Sequence, residues 1–170
     1  MFYEKLKKLI PKKKDILENK HFKIFGNIIY NPLLWSFRRY SVAKAFSIGL
    51  FCAWIPIPFQ MILSAAIAIF LKANLPISIA LVWITNPITM PPLFFFAYKI
   101  GSWILSSPFH NTNIELSFTY FSTAVHDIWK PFLLGCLICG ITSAIIGNIL
   151  VRIIWRYSIN KLWNNRKKLK

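Results

Sequence analysis

Residues 45–98 read AFSIGLFCAWIPIPFQMILSAAIAIFL, then Lys72, then ANLPISIALVWITNPITMPPLFFFAY. The two runs on either side of the lysine hold 27 and 26 residues without a charged side chain. A helix needs about 20 such residues to cross the hydrocarbon of a bilayer. Prolines interrupt both runs, at Pro56, Pro58, Pro87, Pro91 and Pro92. Because proline removes a helix hydrogen bond and clashes with the preceding turn, we expect both runs to be broken helices.

The charges lie mainly at the two ends of the chain. Residues 1–44 carry a net charge of +8, residues 45–129 a net charge of zero and residues 130–170 a net charge of +8. A third uncharged run, of 21 residues, covers 131–151. The positive-inside rule then predicts that both ends are cytoplasmic. The stretch 106–129 has no Lys or Arg, and we expect it to form an external loop.

The composition excludes several classes of protein. Hydrophobic residues make up 56% of the 170 residues and charged residues only 15%, whereas soluble proteins average about 25% charged residues. A soluble enzyme of this composition would have too little polar surface. A disordered chain would not contain as many aromatic residues as the 15 Phe and 7 Trp found here. The three cysteines lie in apolar runs, which argues against a disulfide framework. No nucleic-acid partner is expected, because the neutral block is too apolar for a basic soluble domain.

Three apolar runs give an odd number of crossings, whereas two cytoplasmic ends require an even number. Residues 45–105 should therefore make one net crossing, with at least one proline-broken run forming a re-entrant hairpin. Irregular backbone at membrane depth is tolerated only where it is buried in protein or lines a wet cavity. The predicted fold is an all-α polytopic membrane protein with Pro-broken or re-entrant helices and a C-terminal transmembrane helix. It divides into a basic cytoplasmic segment (1–41), a membrane domain (42–157) and a basic cytoplasmic tail (158–170).

Two strings in this core carry a resemblance to a known family. Residues 55–61 read IPIPFQM and residues 85–92 read TNPITMPP. With the flanking sequence from about 31 to 155, they closely resemble the bacterial domain-of-unknown-function family 2062, small inner-membrane proteins of Gram-negative bacteria. One departure is Lys44-Ala45, where the family usually has Arg-Gly. The resemblance implies an inner-membrane location and no settled activity, although some relatives look like appendages to glycosyltransferases that use polyprenyl-phosphate sugars.

Helix starts beside the prolines are candidate anion sites. Asn86-Pro87 and Asn74-Leu75-Pro76 are typical of a capped helix N-terminus, and Gln60 follows Pro58 at a third possible start. Free N–H groups and the positive end of a helix dipole suit phosphate. The alternative is that these motifs only shape caps and kinks. Gln60 and Thr89 place polar side chains at the two breaks, where a structural role is the stronger alternative.

The cations that flank the apolar runs are the other candidates. Arg38, Arg39 and Lys44 lie where a cytoplasmic lipid headgroup is expected, although their role could be topological alone. Lys99 follows 26 uncharged residues, and it either acts inside the membrane or extends to the interface. The complete set of hypothetical ligand-binding residues is Arg38, Arg39, Lys44, Gln60, Asn74, Asn86, Thr89 and Lys99.

No catalytic, metal or cofactor site is predicted. Cys136 and Cys139 form a CxxC pattern, but it lies in the last apolar run, where small residues at four-residue spacing across 135–147 predict a helix-packing face. That face could also support a homo-oligomer. His110, Glu115, His126 and Asp127 fit no zinc spacing.

The leading hypothesis is a non-enzymatic membrane protein that binds or translocates an anionic lipid or a lipid-linked precursor of the polyprenyl-phosphate type. Its proposed phosphate site lies near Asn86 and Gln60, assisted by cations at the cytoplasmic face. The alternative is a non-catalytic scaffold or subunit of a membrane enzyme such as a glycosyltransferase, which the small-residue face and the lack of catalytic groups favour.

Overall fold

The computed structural model describes residue 26 and residues 28–106 and 118–167, with side chains in the last range described for 128–160. Within these residues every element of secondary structure is helical, which confirms the predicted all-α class. A short 3-10 turn, Pro32–Trp35, precedes the first long helix. The helices are α1 (Arg39–Ala53), α2 (Gln60–Phe70), α3 (Leu75–Val82), α4 (Met90–Ile104) and α5 (Phe118–Lys167).

Each uncharged run is divided into two helices, as the prolines predicted. Pro56 and Pro58 lie in the break between α1 and α2, and Pro87 lies in the break between α3 and α4. Pro91 and Pro92 do not break the second run, which corrects the prediction. They lie in the first turn of α4, where a missing N–H group costs nothing because no intrahelical acceptor exists there.

Helix α5 begins earlier than the sequence suggested. Residues 118–129, expected to belong to an external loop, are helical and lead directly into the apolar run. Pro131 lies inside the helix rather than at its start. Among the described residues, Ile128–Asn160 is the one helix long and apolar enough to cross a membrane, and Gln60–Phe70 is a shorter apolar helix. Polytopic topology stays a prediction.

Helices α1 and α4 pack one after the other along α5, and both run antiparallel to it. Ser47 of α1 hydrogen-bonds the carbonyl of Ala144, and the Asn148 amide donates to the Ala43 carbonyl at 3.1 Å. Further along α5, the backbone of α4 lies against the backbone of α5, at Gly101 against Pro131 and at Gly135 against Ala97. Side chains at either glycine would collide with backbone. This contact requires glycine and confirms that small residues of 135–147 form a packing face.

The packing face is covered within the chain itself. Gly135 contacts α4, whereas Gly140 and Gly147 lie against Phe51 and Leu50 of α1. Cys136 and Cys139 are buried, and they form a small cluster with Ala97 that Phe94 and Phe132 flank. The opposite face of the same helix is exposed and apolar, and it consists of Leu133, Leu137, Ile141, Ile145 and Ile149. A homo-oligomer through the small residues of 135–147 stays a prediction.

Helices α2 and α3 form a hairpin against α1. The hydroxyls of Ser64 on α2 and Ser78 on α3 lie 2.6 Å apart in the buried interface. Gly49 of α1 lies against Ser78 and Leu81, where a Cβ would come within 2.6 Å of both residues. One end of the hairpin therefore brings the two proline breaks together. The other end places the turn at Lys72 beside the first turns of α1, as the Lys44 contact with Leu71 shows.

Candidate functional site

The two proline breaks enclose a cavity of about 570 Å³. Residues 56–62 form one wall and residues 82–94 contribute the other. Apolar side chains at its rim are exposed, including Phe59 and Trp83 at 66% and 64%. The cavity is thus mostly apolar, and its polar groups lie together at the point where the two breaks meet.

Those polar groups are satisfied by the chain. Gln60 donates from its amide to the carbonyl of Ile55, and its side-chain oxygen lies 3.3 Å from the Thr85 hydroxyl. The same hydroxyl lies 2.9 Å from the carbonyl of Ala53, at the end of α1. One buried threonine therefore ties the second break to the first.

Asn86 and Thr89 cap each other. The Asn86 side-chain oxygen accepts from the N–H groups of Ile88 and Thr89, at 2.9 and 3.0 Å. In return, the Thr89 hydroxyl accepts from the Asn86 N–H at 3.0 Å. This reciprocal cap precedes α4, which begins at Met90 and not directly after Asn86. The N–H groups that a phosphate would need near Asn86 are already occupied.

A second cavity, of about 240 Å³, lies at the start of α1. Three cations line it from three different segments: Arg38 precedes the helix, Lys44 lies on it, and Lys72 lies in the turn between α2 and α3. Lys44 donates to the carbonyl of Leu71 at 3.3 Å. Lys72 has a φ of 51°, a left-handed conformation that normally favours glycine after a helix.

One polar group in this second cavity has no partner. The hydroxyl oxygen of Ser41 is buried and makes no hydrogen bond to any described residue. The residue is 9% exposed and lines the cavity. The first N–H groups of any helix lack an intrahelical acceptor, and Arg38, which occupies the position before α1, provides no side-chain cap for them.

Asn74 builds the wall of the cation cavity. Its side chain is fully buried, donates to the Ser36 carbonyl at 3.1 Å and accepts from the Ile77 N–H at 3.1 Å. Its backbone N–H donates to the carbonyl of Ser41. This residue thus fixes the start of α3 against the segment that leads into α1. Its polar side-chain atoms are used within the chain.

Further cations surround the same end of the molecule. Arg39 donates to the Tyr40 hydroxyl at 3.0 Å, and the Arg152 guanidinium lies 5.6 Å from the centre of the same ring. No Asp or Glu occurs in residues 28–106 or 128–160. Of the eight cations with described side chains, six lie at this end: Arg38, Arg39, Lys44, Lys72, Arg152 and Arg156. Lys99 and Lys130 lie at the other end, and Lys99 is 5.0 Å from the Phe95 ring.

The candidate residues therefore fall into three places. Arg38, Arg39, Lys44 and Asn74 lie at the cation end, whereas Gln60, Asn86 and Thr89 lie at the breaks, and Lys99 lies apart from both. Helix α2, with 11 residues, separates the first two groups by about 16 Å at 1.5 Å per residue. The sequence reasoning missed Ser41, Lys72 and Thr85. The sequence does contain a signal for Lys72, because it is the single charged residue between the two uncharged runs.

No group of three or more potential metal-ligating side chains occurs among the described residues. The side chains of His110, Glu115, His126 and Asp127 lie outside them, as does the basic segment up to residue 25.

The comparisons with known proteins give one match. A family model described as an uncharacterized protein conserved in bacteria (DUF2062) matches residues 22–164, which confirms the resemblance that the proline-containing strings carry. No curated protein and no solved structure matches the chain.

Proposed function

The chain belongs to domain-of-unknown-function family 2062, and we propose that it is an inner-membrane protein that binds an anionic lipid or a lipid-linked precursor. The observation that carries the proposal is the cation end. Six cations converge there, and no carboxylate in residues 28–106 or 128–160 can balance them. Near a membrane surface, each such charge contributes about 1 kcal/mol of attraction to anionic lipid.

Two features of α5 support a membrane location. Helix α5 has the length and composition of a span. Its outward face is a continuous apolar stripe, with Leu137, Ile141 and Ile145 exposed at 49%, 44% and 54%. An exposed stripe of this kind is costly in water and favourable in lipid.

Helices α1 and α4 support the proposal of one net crossing for residues 45–105. Each has 15 residues, or about 22 Å, which is too short for the roughly 30 Å of bilayer hydrocarbon. Packed in series against α5, they are long enough together. Helix α1 then enters from the side of the cations and α2 returns to that side at the Lys72 turn, as the two arms of a re-entrant hairpin do.

The charge distribution supports the orientation. The cation end contains the start of α1 and the distal part of α5. By the positive-inside rule this side faces the cytoplasm. A reporter fused at residue 118 should therefore read as external, and a cytoplasmic reading would contradict this topology.

The apolar cavity between the breaks supports a lipid ligand over a soluble anion. It is large enough for part of an acyl or prenyl chain, and its rim is apolar and exposed. Translocation of the bound lipid is the further step of the proposal. For that step, the lipid head would pass from the cation end toward Gln60 and Asn86 at the breaks.

The proposal is tested by native mass spectrometry of the full chain, released gently from its own membrane. We expect one anionic lipid class to remain bound selectively, in preference to the bulk zwitterionic lipids. A chain released without any selective lipid would contradict the proposal. A chain released with a stoichiometric second polypeptide and no lipid would favour the scaffold alternative.

A further inference from the structure

The cavity at the start of α1 has the features of a built anion site. We propose that it binds the dianionic phosphate of a phosphate monoester, such as the headgroup of a monoester phospholipid, between Arg38, Ser41, Lys44 and Lys72. This inference rests on the proposed lipid-binding function and specifies the chemistry of its headgroup. None of the sequence motifs predicted this combination of residues.

Ser41 provides the observation that points to a ligand. Its hydroxyl oxygen is buried and has no hydrogen-bond partner in the described part of the chain, and the residue lines the cavity. Buried hydroxyls are nearly always paired, because leaving one unpaired forfeits the hydrogen bonds that it made in water. A phosphate oxygen in the cavity would accept from this hydroxyl.

The backbone around Ser41 favours the same ligand. Ser41 lies in the first turn of α1, and Val42 is the first residue of this turn whose N–H bonds back, to the Arg38 carbonyl at 2.9 Å. Arg38 leaves the preceding N–H groups without a side-chain cap. A helix start of this kind presents N–H donors and the positive end of the helix dipole.

The charges indicate a dianion rather than a monoanion. Three cations line the cavity, and Arg39 and Arg152 lie at the neighbouring Tyr40. A phosphate monoester carries about −1.5 to −2 charges at neutral pH, whereas a phosphodiester carries one. The monoester therefore offsets more of the repulsion among Arg38, Lys44 and Lys72.

The size of the cavity indicates a headgroup rather than a whole lipid. Its volume of about 240 Å³ is below the roughly 300–1,000 Å³ that is typical of pockets enclosing an entire small molecule. The alkyl part of a lipid would lie outside the cavity, along the exposed apolar surface of the helices. The exposed side chain of Leu33 lines the cavity and begins that surface.

The first experiment compares three probes on the full chain purified in a neutral detergent. These are phosphatidic acid as the monoester lipid, phosphatidylglycerol as the diester lipid, and inorganic phosphate. Each is titrated, and binding is followed by native mass spectrometry. We expect phosphatidic acid to bind at least about tenfold more tightly than phosphatidylglycerol, because one additional charge-assisted contact has about that value.

Two variants assign the binding to the cavity. Lys72→Gly removes a cation and relieves the left-handed backbone, so the fold should be maintained while phosphatidic acid binding weakens about tenfold. Ser41→Ala removes an unpaired buried hydroxyl. It should leave the melting temperature unchanged or higher, and weaken phosphatidic acid binding several-fold.

Two matched controls test whether the effect is specific to the cavity or follows from the loss of any cation or any serine hydroxyl. Lys130→Gln removes one positive charge at the opposite end, where Lys130 lies over the Trp129 ring. Ser143→Ala removes a serine hydroxyl that bonds the carbonyl of Gly140 within α5. Neither variant should change the ratio of phosphatidic acid to phosphatidylglycerol affinity.

The outcomes separate the site from the proposed function. The dianion site would be overturned if the two lipids bound equally and if Lys72→Gly bound phosphatidic acid no more weakly than Lys130→Gln. The proposal that the chain binds anionic lipid would then still stand. Inorganic phosphate binding as tightly as phosphatidic acid, with the same Lys72 dependence, would support the site and overturn the lipid as its source. Binding of neither lipid would overturn both proposals.

Discussion

The break cavity and the cation cavity lie at opposite ends of the same α2–α3 hairpin, and they differ in how their polar groups are paired. At the breaks, the Gln60 amide and the Thr85 hydroxyl contact groups of this chain, and Asn86 and Thr89 cap each other. At the cation end, the Ser41 hydroxyl has no hydrogen-bond partner among the described residues. The cations there also have no carboxylate in the surrounding described sequence.

This difference in pairing distinguishes polar groups that stabilise the fold from polar groups that are available to a ligand. When a polar group is fully paired within the chain, its hydrogen bonds offset the free-energy cost of removing it from water. Such a group can stabilise the fold without a ligand. An unpaired hydroxyl among unbalanced cations lowers stability until a partner arrives. We therefore infer that the polar groups at the breaks, which carry the most distinctive sequence strings, have a structural role, and that those at the cation end bind the headgroup.

The largest effect is expected at a paired residue that lies beside the cation cavity. Asn74→Ala should lower the free energy of unfolding by about 2–4 kcal/mol, because it removes the α3 cap and leaves the Ser36 carbonyl without its donor. The measurement is denaturant-induced unfolding in detergent, followed by circular dichroism.

Asn31→Ala is the matched control for Asn74→Ala. Asn31 also caps a short helix, by accepting from the Leu33 N–H at 3.0 Å, but it is exposed. Its loss should cost well under half as much, because water replaces an exposed cap. If Asn74→Ala kept its stability but lost lipid binding, the distinction between paired and unpaired groups would fail.

A smaller effect is expected where one hydroxyl connects the two breaks. Thr85→Val keeps the shape of the side chain and removes its donor, so it should cost about 1–2 kcal/mol of stability with no change in phosphatidic acid affinity. Thr142→Val is the control, since the Thr142 hydroxyl is exposed and bonds only within its own helix. Equal losses in the two variants would show that the breaks are not held together by Thr85.

The smallest effect is expected at Asn86, the residue that the sequence favoured as a phosphate ligand. Asn86→Ala removes the cap before α4 and should cost about 1 kcal/mol. Asn86→Ser should restore most of it, because serine caps similarly. Lipid binding of the folded variants should be unchanged in equilibrium titration. A loss of binding that serine does not restore would return the phosphate site to the breaks.

Much of the fold could be predicted from the sequence, because its main signals are local. Pro56, Pro58 and Pro87 lack the N–H group that a continuous helix needs, and each lies in an observed break. The missing N–H group led to a wrong prediction at Pro91 and Pro92, because the N–H groups of the first helical turn make no intrahelical hydrogen bond. Small residues of 135–147 predicted close helix packing, and Gly135 supplies it.

The candidate site could be predicted only in part, because its members are distant in the chain. The charge pattern alone identified Arg38 and Lys44. Lys72 joins them through the turn of the α2–α3 hairpin, and no local pattern specifies where that turn packs. That the Ser41 hydroxyl has no partner among the described residues is a property of the packed fold, because it depends on which groups the fold brings near the hydroxyl.

The amino-acid sequence by itself determined the helical class, the family, the proline breaks and the concentration of charge at the ends, because each follows from side-chain chemistry or local backbone geometry. The tertiary structure alone decided which polar groups are paired. That distinction depends on distances between α1, the hairpin and α5, and it moves the expected phosphate site from Asn86 to the first turn of α1.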